Sequence, residues 1–320
     1  MTTVPAPMSF IKDVSTIASA SLTVSIRDRT IILLVGLFLA MVLVSAYLGW
    51  SATHTLDQIF GKAALVLQAQ GKAVPANPAL DVPPLASLRN MTTYVALLGV
   101  IAMIVVGTQL IAMDRVSGTL PLILSRPITP WRYAIGKLVA LAGAVCILMS
   151  VAAIANIVTL LMLPGQTITA DIWQGLFAFY ALSSVYLLIF GLIAVLAAIL
   201  CRSEAMALLI PVTIWLALTF VLPQLTSNIN PMAAMNPISA MVPRPGGLFF
   251  TVASTALGPF SLTESYRTLA AASLGFLPAD QTGLNLAAST LFLVGAAIAL
   301  ISAVLTVIGG FDASRSDYND

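Results

Sequence analysis

The stretch IWQGLFAFYALSSVYLLIFGLIAVLAAILC (Ile172–Cys201) carries no charge, breaks at Arg202-Ser203-Glu204, and resumes as AMALLIPVTIWLALTFVLP (Ala205–Pro223). A helix crossing about 30 Å of hydrocarbon needs roughly 20 apolar residues, and both halves reach that length. The three polar residues between them are enough for a tight helical hairpin at a membrane surface, and Pro211 is expected to kink the second helix. The same criterion selects Thr30–Trp50, Met91–Met113, Leu138–Leu163 and Leu284–Gly309, again free of charge. The expected fold is an all-α integral membrane protein with six transmembrane helices. Composition agrees: 59% of the 320 residues are hydrophobic and 8% charged, against about 25% charged in a soluble domain.

Orientation follows from Lys and Arg, which are retained in cytoplasmic segments. With the N-terminus inside, the inner segments hold Lys12, Arg27, Arg29, Arg115, Arg126, Arg132, Lys137, Arg202 and Arg315. The outer ones hold Lys62, Lys72, Arg89, Arg244 and Arg267, spread over much longer loops. Both termini are therefore expected in the cytoplasm. No short apolar core near the start ends in a cleavage-like site, so the N-terminus is expected to be retained.

The domain plan is a 1–29 amphipathic interfacial segment, a 30–309 transmembrane domain and a 310–320 cytoplasmic tail. In the first, Phe10, Val14, Ile17, Ala18 and Leu22 recur at helical spacing, which predicts a helix on the inner leaflet and makes membrane lipid a partner. Outer loop 51–90 reads as a short helix followed by a strap stiffened by Pro75, Pro78, Pro83 and Pro84. Outer loop 224–283 is apolar but broken by prolines. Within it Gly246–Phe260 is too short to cross and is expected to dip into the outer leaflet and return. Thr263–Ser273 reads as a helix with Glu264 and Arg267 paired at i, i+3. No internal repeat is visible, which weakens the inverted-repeat carriers.

Much chemistry is excluded by residue supply. Ion-coupled carriers place ionisable groups inside their spans, and none of the six stretches has one. Asn156, Thr159, Ser183 and Ser184 are expected to pack helices together. There is one histidine, His54, and no His-Glu-x-x-His or Gly-x-Ser-x-Gly motif. Gly61-Lys62, Gly71-Lys72 and Gly136-Lys137 lack the remaining residues of a P-loop, so ATP hydrolysis is not expected in this chain. Met232, Met235 and Met241 have no His or Cys nearby and read as apolar packing; Cys146 and Cys201 lie in or at the end of apolar runs, which does not fit a disulfide framework. A net charge of +2 without a basic cluster gives no case for nucleic acid.

The informative loop is Asp114-Arg-Val-Ser-Gly-Thr-Leu-Pro-Leu-Ile-Leu-Ser-Arg-Pro-Ile-Thr-Pro-Trp-Arg-Tyr-Ala-Ile-Gly-Lys137. Ser117 or Thr119 can cap a short helix, Leu120, Leu122, Ile123 and Leu124 give it a greasy face, and Pro127 stops it. Thr129-Pro130 reads as an N-cap and N1 proline opening the helix that becomes the third span. A short amphipathic rod held by two turns suits a groove on a soluble partner, although any membrane protein can carry a basic interfacial loop.

The order Asp114, Gly118-Thr119-Leu120, Leu122, Leu124, Ser125-Arg126-Pro127 and Gly136-Lys137 resembles the loop of ABC-2 type permeases, the membrane subunits of ABC exporters. It is similar in particular to permeases serving nitrous-oxide-reductase maturation. Asp114 stands where that family more often has Glu, and Pro121 where it has a polar residue. The resemblance implies a non-catalytic permease subunit in a bacterial cytoplasmic (inner) membrane. It also implies a second permease copy or homologous permease as dimer partner, with ATP and Mg bound by a separate ABC ATPase subunit. Asp114, Arg115, Gly118, Thr119, Leu120, Leu122, Leu124, Arg126 and Pro127 would form the ATPase-coupling loop, with no cofactor, metal or catalytic residue in this chain. A periplasmic partner at the outer loops fits the same scheme. The rival readings are a membrane-anchored maturation factor or enzyme acting through its outer loops, and an ATP-independent carrier.

Overall fold

The computed structural model describes residues 10–74, 85, 88–116, 129–161, 169–227, 247–258, 261–276 and 284–309, among which there is no strand. An amphipathic helix, α1 (Phe10–Arg27), leads into α2 (Arg29–Ala69). Then come α3 (Arg89–Arg115), α4 (Pro130–Leu161), α5 (Ala170–Leu200) and α6 (Glu204–Thr226). Two short helices, α7 (Leu248–Leu257) and α8 (Leu262–Ser273), precede α9 (Leu284–Gly309). Helices α2 to α6 and α9 are the six long and apolar enough to cross a membrane. They lie where the charge-free stretches of sequence fall, and the chain is an all-α, multi-pass membrane protein.

Several of these helices extend past the charge-free stretches at one end or both. Helix α2 continues without a break beyond Trp50 for a total of 41 residues, about 60 Å at 1.5 Å per residue and twice the hydrocarbon thickness. The predicted short helix of the first outer loop is therefore the continuation of the first span. Near the end of that span the rings of Trp50 and His54 stack 5.3 Å apart, an aromatic pair of the kind that sits at a membrane–water boundary. Helix α4 begins at Pro130, so its first two turns carry Arg132 and Lys137 ahead of the apolar run. The turn between α5 and α6 is the expected Arg202-Ser203-Glu204.

Helix α5 is the centre of the bundle, packed against α3, α4, α6, α8 and α9. Its Phe179, Tyr186, Leu187, Phe190, Leu192 and Val195 are fully buried, as expected of a helix that is hydrophobic all round. Where α3 crosses it, Gly107 lies directly on the Gly191 carbonyl, and a Cβ on Gly191 would meet Leu141 Cδ1 of α4 at 2.8 Å. Small residues at such crossings let backbones approach, because lipid supplies no hydrophobic drive to bring helices together. Helix α1 turns its apolar stripe toward α4, burying Ala18. Helix α7 rests on the end of α6 with Leu248, Phe249 and Val252 exposed.

Candidate functional site

Two polar clusters lie at opposite ends of the bundle. The first gathers where the chain leaves α3 and re-enters α4. Pro130 has no amide hydrogen to leave unpaired, and the Thr129 carbonyl accepts from Arg132 N at 2.9 Å, so the helix starts where the Thr-Pro pair predicts. That start places Tyr133 and Lys137 one turn apart on one face. The Lys137 ammonium lies 5.3 Å from the Tyr133 ring centre.

Opposite them, the last turn of α3 presents Asp114. Its Oδ2 is 2.6 Å from Lys137 Nζ and accepts a 2.7 Å hydrogen bond from Tyr133 OH. Lys137 is only 4% exposed, so its charge needs this partner. The adjacent Arg115 points elsewhere, donating at 2.8 Å to the carbonyls of Ile199 and Cys201. Helix C-termini leave carbonyls without intrahelical donors and carry partial negative charge, and the two-pronged guanidinium caps this one. Thus α3 is tied to α4 through Asp114 and to α5 through Arg115.

Helix α1 completes the cluster. Asp13 accepts from Arg132, whose guanidinium also lies 5.7 Å from the Phe10 ring centre, and Lys137 Nζ donates to Ser21 Oγ at 3.0 Å. The close approach depends on Gly136: a Cβ there would stand 2.7 Å from Ile17 Cγ2. At the far end of α1, Asp28 caps α2 by accepting from the amides of Thr30 at 2.8 Å and Ile31 at 3.2 Å. Burial opposes ionisation of Asp28, but these bonds and one from the Gln109 side chain outweigh it and hold the carboxyl below its usual value.

Of the residues expected in the coupling loop, Asp114 and Arg115 are therefore engaged within the chain. Gly118, Thr119, Leu120, Leu122, Leu124, Arg126 and Pro127 lie outside the described residues, as do Ser117 and Met232, Met235 and Met241 of the second outer loop. The structure adds Asp13, Ser21, Arg132, Tyr133 and Lys137. The signal for the last two was the i, i+4 spacing behind the Thr-Pro start. Asp13 and Ser21 had no signal of their own, since their partners lie far along the chain. Gly136-Lys137 acquires a physical reason: the glycine admits α1 and the lysine neutralises Asp114.

The second cluster is built on α8. Ser261 caps it through the Glu264 amide at 3.3 Å. The buried Glu264 and Arg267 face each other at 3.8 Å, as the i, i+3 spacing predicts. Thr226 of α6 donates to Glu264 Oε1 at 3.0 Å and Thr263 donates to Thr219 Oγ1 at 3.3 Å. The rings of Tyr186 and Tyr266 stack at 4.3 Å, their hydroxyls bonded to Thr263 and Ser183 respectively. Of the four polar span residues, Asn156 and Ser183 reach across helices, to Tyr180 and Tyr266, while Thr159 and Ser184 bond back to their own. Charge-free spans thus coexist with a buried ion pair, because α8 carries it to them from a loop. Among the described residues no three His, Cys, Asp or Glu side chains converge as a metal site would require.

Residues 15–311 match the family model described as ABC-2 family transporter protein. No curated protein matches the chain.

Proposed function

The chain belongs to the ABC-2 transporter family, and from that premise we propose that it is the permease subunit of an ATP-driven exporter, energised by a separate ATPase subunit docked on loop 114–137. The permease is a transport component of the membrane and not itself a catalyst. In this reading the Asp114 end faces the cytoplasm and the α8 end faces outward, in a bacterial inner membrane. Two permeases, identical or homologous, pair around the path. ATP and Mg are held by the ATPase.

One observation carries the coupling proposal: the ends of the loop are joined by the Asp114–Lys137 ion pair and fastened by Arg115 to α5. A push on the loop therefore moves α3, α4 and α5 together. Pinning both ends of the loop transmits force, whereas a slack loop would absorb it. Asp114 and Arg115 act in this scheme as internal anchors, leaving Gly118 to Leu124 as the surface that the ATPase grips.

A path lined by spans without charge suits amphipathic or lipid-like cargo, or transmission of force to a periplasmic partner. The loop's likeness to permeases of nitrous-oxide-reductase maturation makes that process the setting we favour. Replacing Gly118 and Leu122 by bulky charged residues is expected to abolish association with the ATPase while the membrane domain stays folded. Co-purification of the ATPase with that variant at the wild-type ratio would overturn the proposal.

A further inference from the structure

Two of the six spanning helices contain a π-helical segment, Val95–Gly99 in α3 and Ala217–Val221 in α6. In each the hydrogen bonding widens to i, i+5: Val100 N bonds to the Val95 carbonyl and Leu222 N to that of Ala217. The second has a visible cause, because Pro223 lacks the amide that the Thr219 carbonyl would receive in a regular turn. Single π turns inside α-helices recur at functional sites, and they are places where a helix changes direction.

Trp215, two residues ahead of the second segment, links the two. In a regular helix the Ala96 carbonyl would accept from Val100. Here that amide is shared between the Leu97 and Val95 carbonyls, and the indole Nε1 of Trp215 donates to Ala96 O at 3.0 Å. Trp215 is 5% exposed and its ring meets Phe220, inside the α6 π segment, edge-on at 5.7 Å. One hydrogen bond and one ring contact of Trp215 thus link the irregular turn of α3 to that of α6.

What lies beyond each segment gives the link its meaning. Toward one end, α3 runs from Gly99 to Asp114, about 22 Å along the helix, and terminates in the ion pair with Lys137. Toward the other, Arg89–Tyr94 of α3 packs against α8, and α6 holds α8 through Thr219–Thr263 and Thr226–Glu264. The path between the ends is continuous: loop anchor, α3, Ala96, Trp215, α6, α8.

We infer that the paired π segments, joined by the Trp215–Ala96 hydrogen bond, form the pivot through which movement of the loop at Asp114 displaces α8 at the opposite end. Trp215 is a positioning residue in this device, and the buried polar contacts of Glu264 and Thr263 are the attachment that α6 pulls on. Discrete packing arrangements about such joints carry small shifts over distance. The inference rests on the ATPase-driven reading above.

The test is hydrogen exchange by mass spectrometry on the complete permease–ATPase complex in lipid nanodiscs, with and without ATP plus orthovanadate. In the wild type, nucleotide is expected to change exchange both at residues 129–137 and across α8. Trp215→Phe keeps an aromatic ring while removing the indole donor and part of the ring volume; it should lose the response at α8 and retain that at 129–137. Thr226→Val, which cuts one of the two α6–α8 hydrogen bonds instead of the pivot, should weaken the α8 response as well, so a packing defect peculiar to Trp215→Phe cannot decide the result. A full α8 response in both variants overturns the inference, and so does a wild type in which 129–137 responds and α8 does not. A wild type that responds at neither end overturns the ATPase-driven reading itself.

Discussion

Replacing Lys137 by Met separates the charge from the shape of its side chain. The ammonium lies 2.6 Å from Asp114 and is 4% exposed, while the carboxylate is 18% exposed. Breaking a buried pair by removing one partner costs about 3–5 kcal/mol, because the other charge is left uncompensated. Asp114 keeps its bond from Tyr133 and some contact with solvent, which places Lys137→Met at about 3 kcal/mol. The opposite change, Asp114→Asn, strands the more deeply buried ammonium and belongs nearer 4 kcal/mol. Replacing both at once removes two desolvation penalties together, leaving about 1 kcal/mol for the bonds to Ser21 and Tyr133. The double variant should therefore be more stable than either single one. Equilibrium denaturant titration in mixed micelles measures all four corners of this cycle. Interhelical polar pairs in membranes reach only about 1.7 kcal/mol in such cycles, since the unfolded chain in detergent also finds partners, so the values will fall below those for water while their order is preserved. Single variants that are no less stable than the double one would refute the claim that these charges depend on one another.

Arg115→Ala should cost about 2 kcal/mol by uncapping α5, read as faster amide exchange at residues 197–201, and Arg115→Lys should recover about half, since an ammonium cannot fork to two carbonyls. Asp28→Ala should lose about 1 kcal/mol of helix capping at pH 7 while Asn restores it. Because the folded carboxyl ionises below its usual 3.8, the charge-dependent part of that advantage is full above that value and disappears as pH falls through the lower folded value; thermal melts from pH 7 to pH 3 would follow it. Gly107→Ala drives a methyl group onto the Gly191 backbone and should destabilise by about 3 kcal/mol, at the upper end of overpacking costs. At Gly61, where nothing lies within 4 Å, the same substitution should stabilise by up to about 1 kcal/mol, because alanine is the better helix former.

What could be read from the chain alone was whatever depends on local composition. A helix buries its own backbone bonds, and lipid selects runs of apolar residues. The six spans, the Arg202-Ser203-Glu204 turn, the Thr129-Pro130 start and the Glu264–Arg267 spacing were therefore visible without coordinates. The extension of α2 beyond Trp50 has no such mark, because an exposed helix of mixed polarity has no hydrophobic boundary to show its continuity with the span. The loop motif pointed to a coupling role, but the destinations of its side chains did not follow from their order. Asp114 and Arg115 are neighbours in sequence, yet one neutralises Lys137 and the other caps the end of α5 through the Ile199 carbonyl, 84 positions later.

The deepest difference concerns charge. Within the spans the sequence has none, which argues against ion-coupled transport. It took tertiary structure to bring Glu264 and Arg267 against those spans, since a sliding window sees the solvent preference of a segment and not what later covers it. The same holds for Trp215 and Ala96, 119 residues apart, which meet only because two helices pack at the depth where each departs from regular geometry. Local chemistry determined which segments enter the membrane. Packing between distant helices decided where the buried charges pair and through which contacts one end of the bundle touches the other.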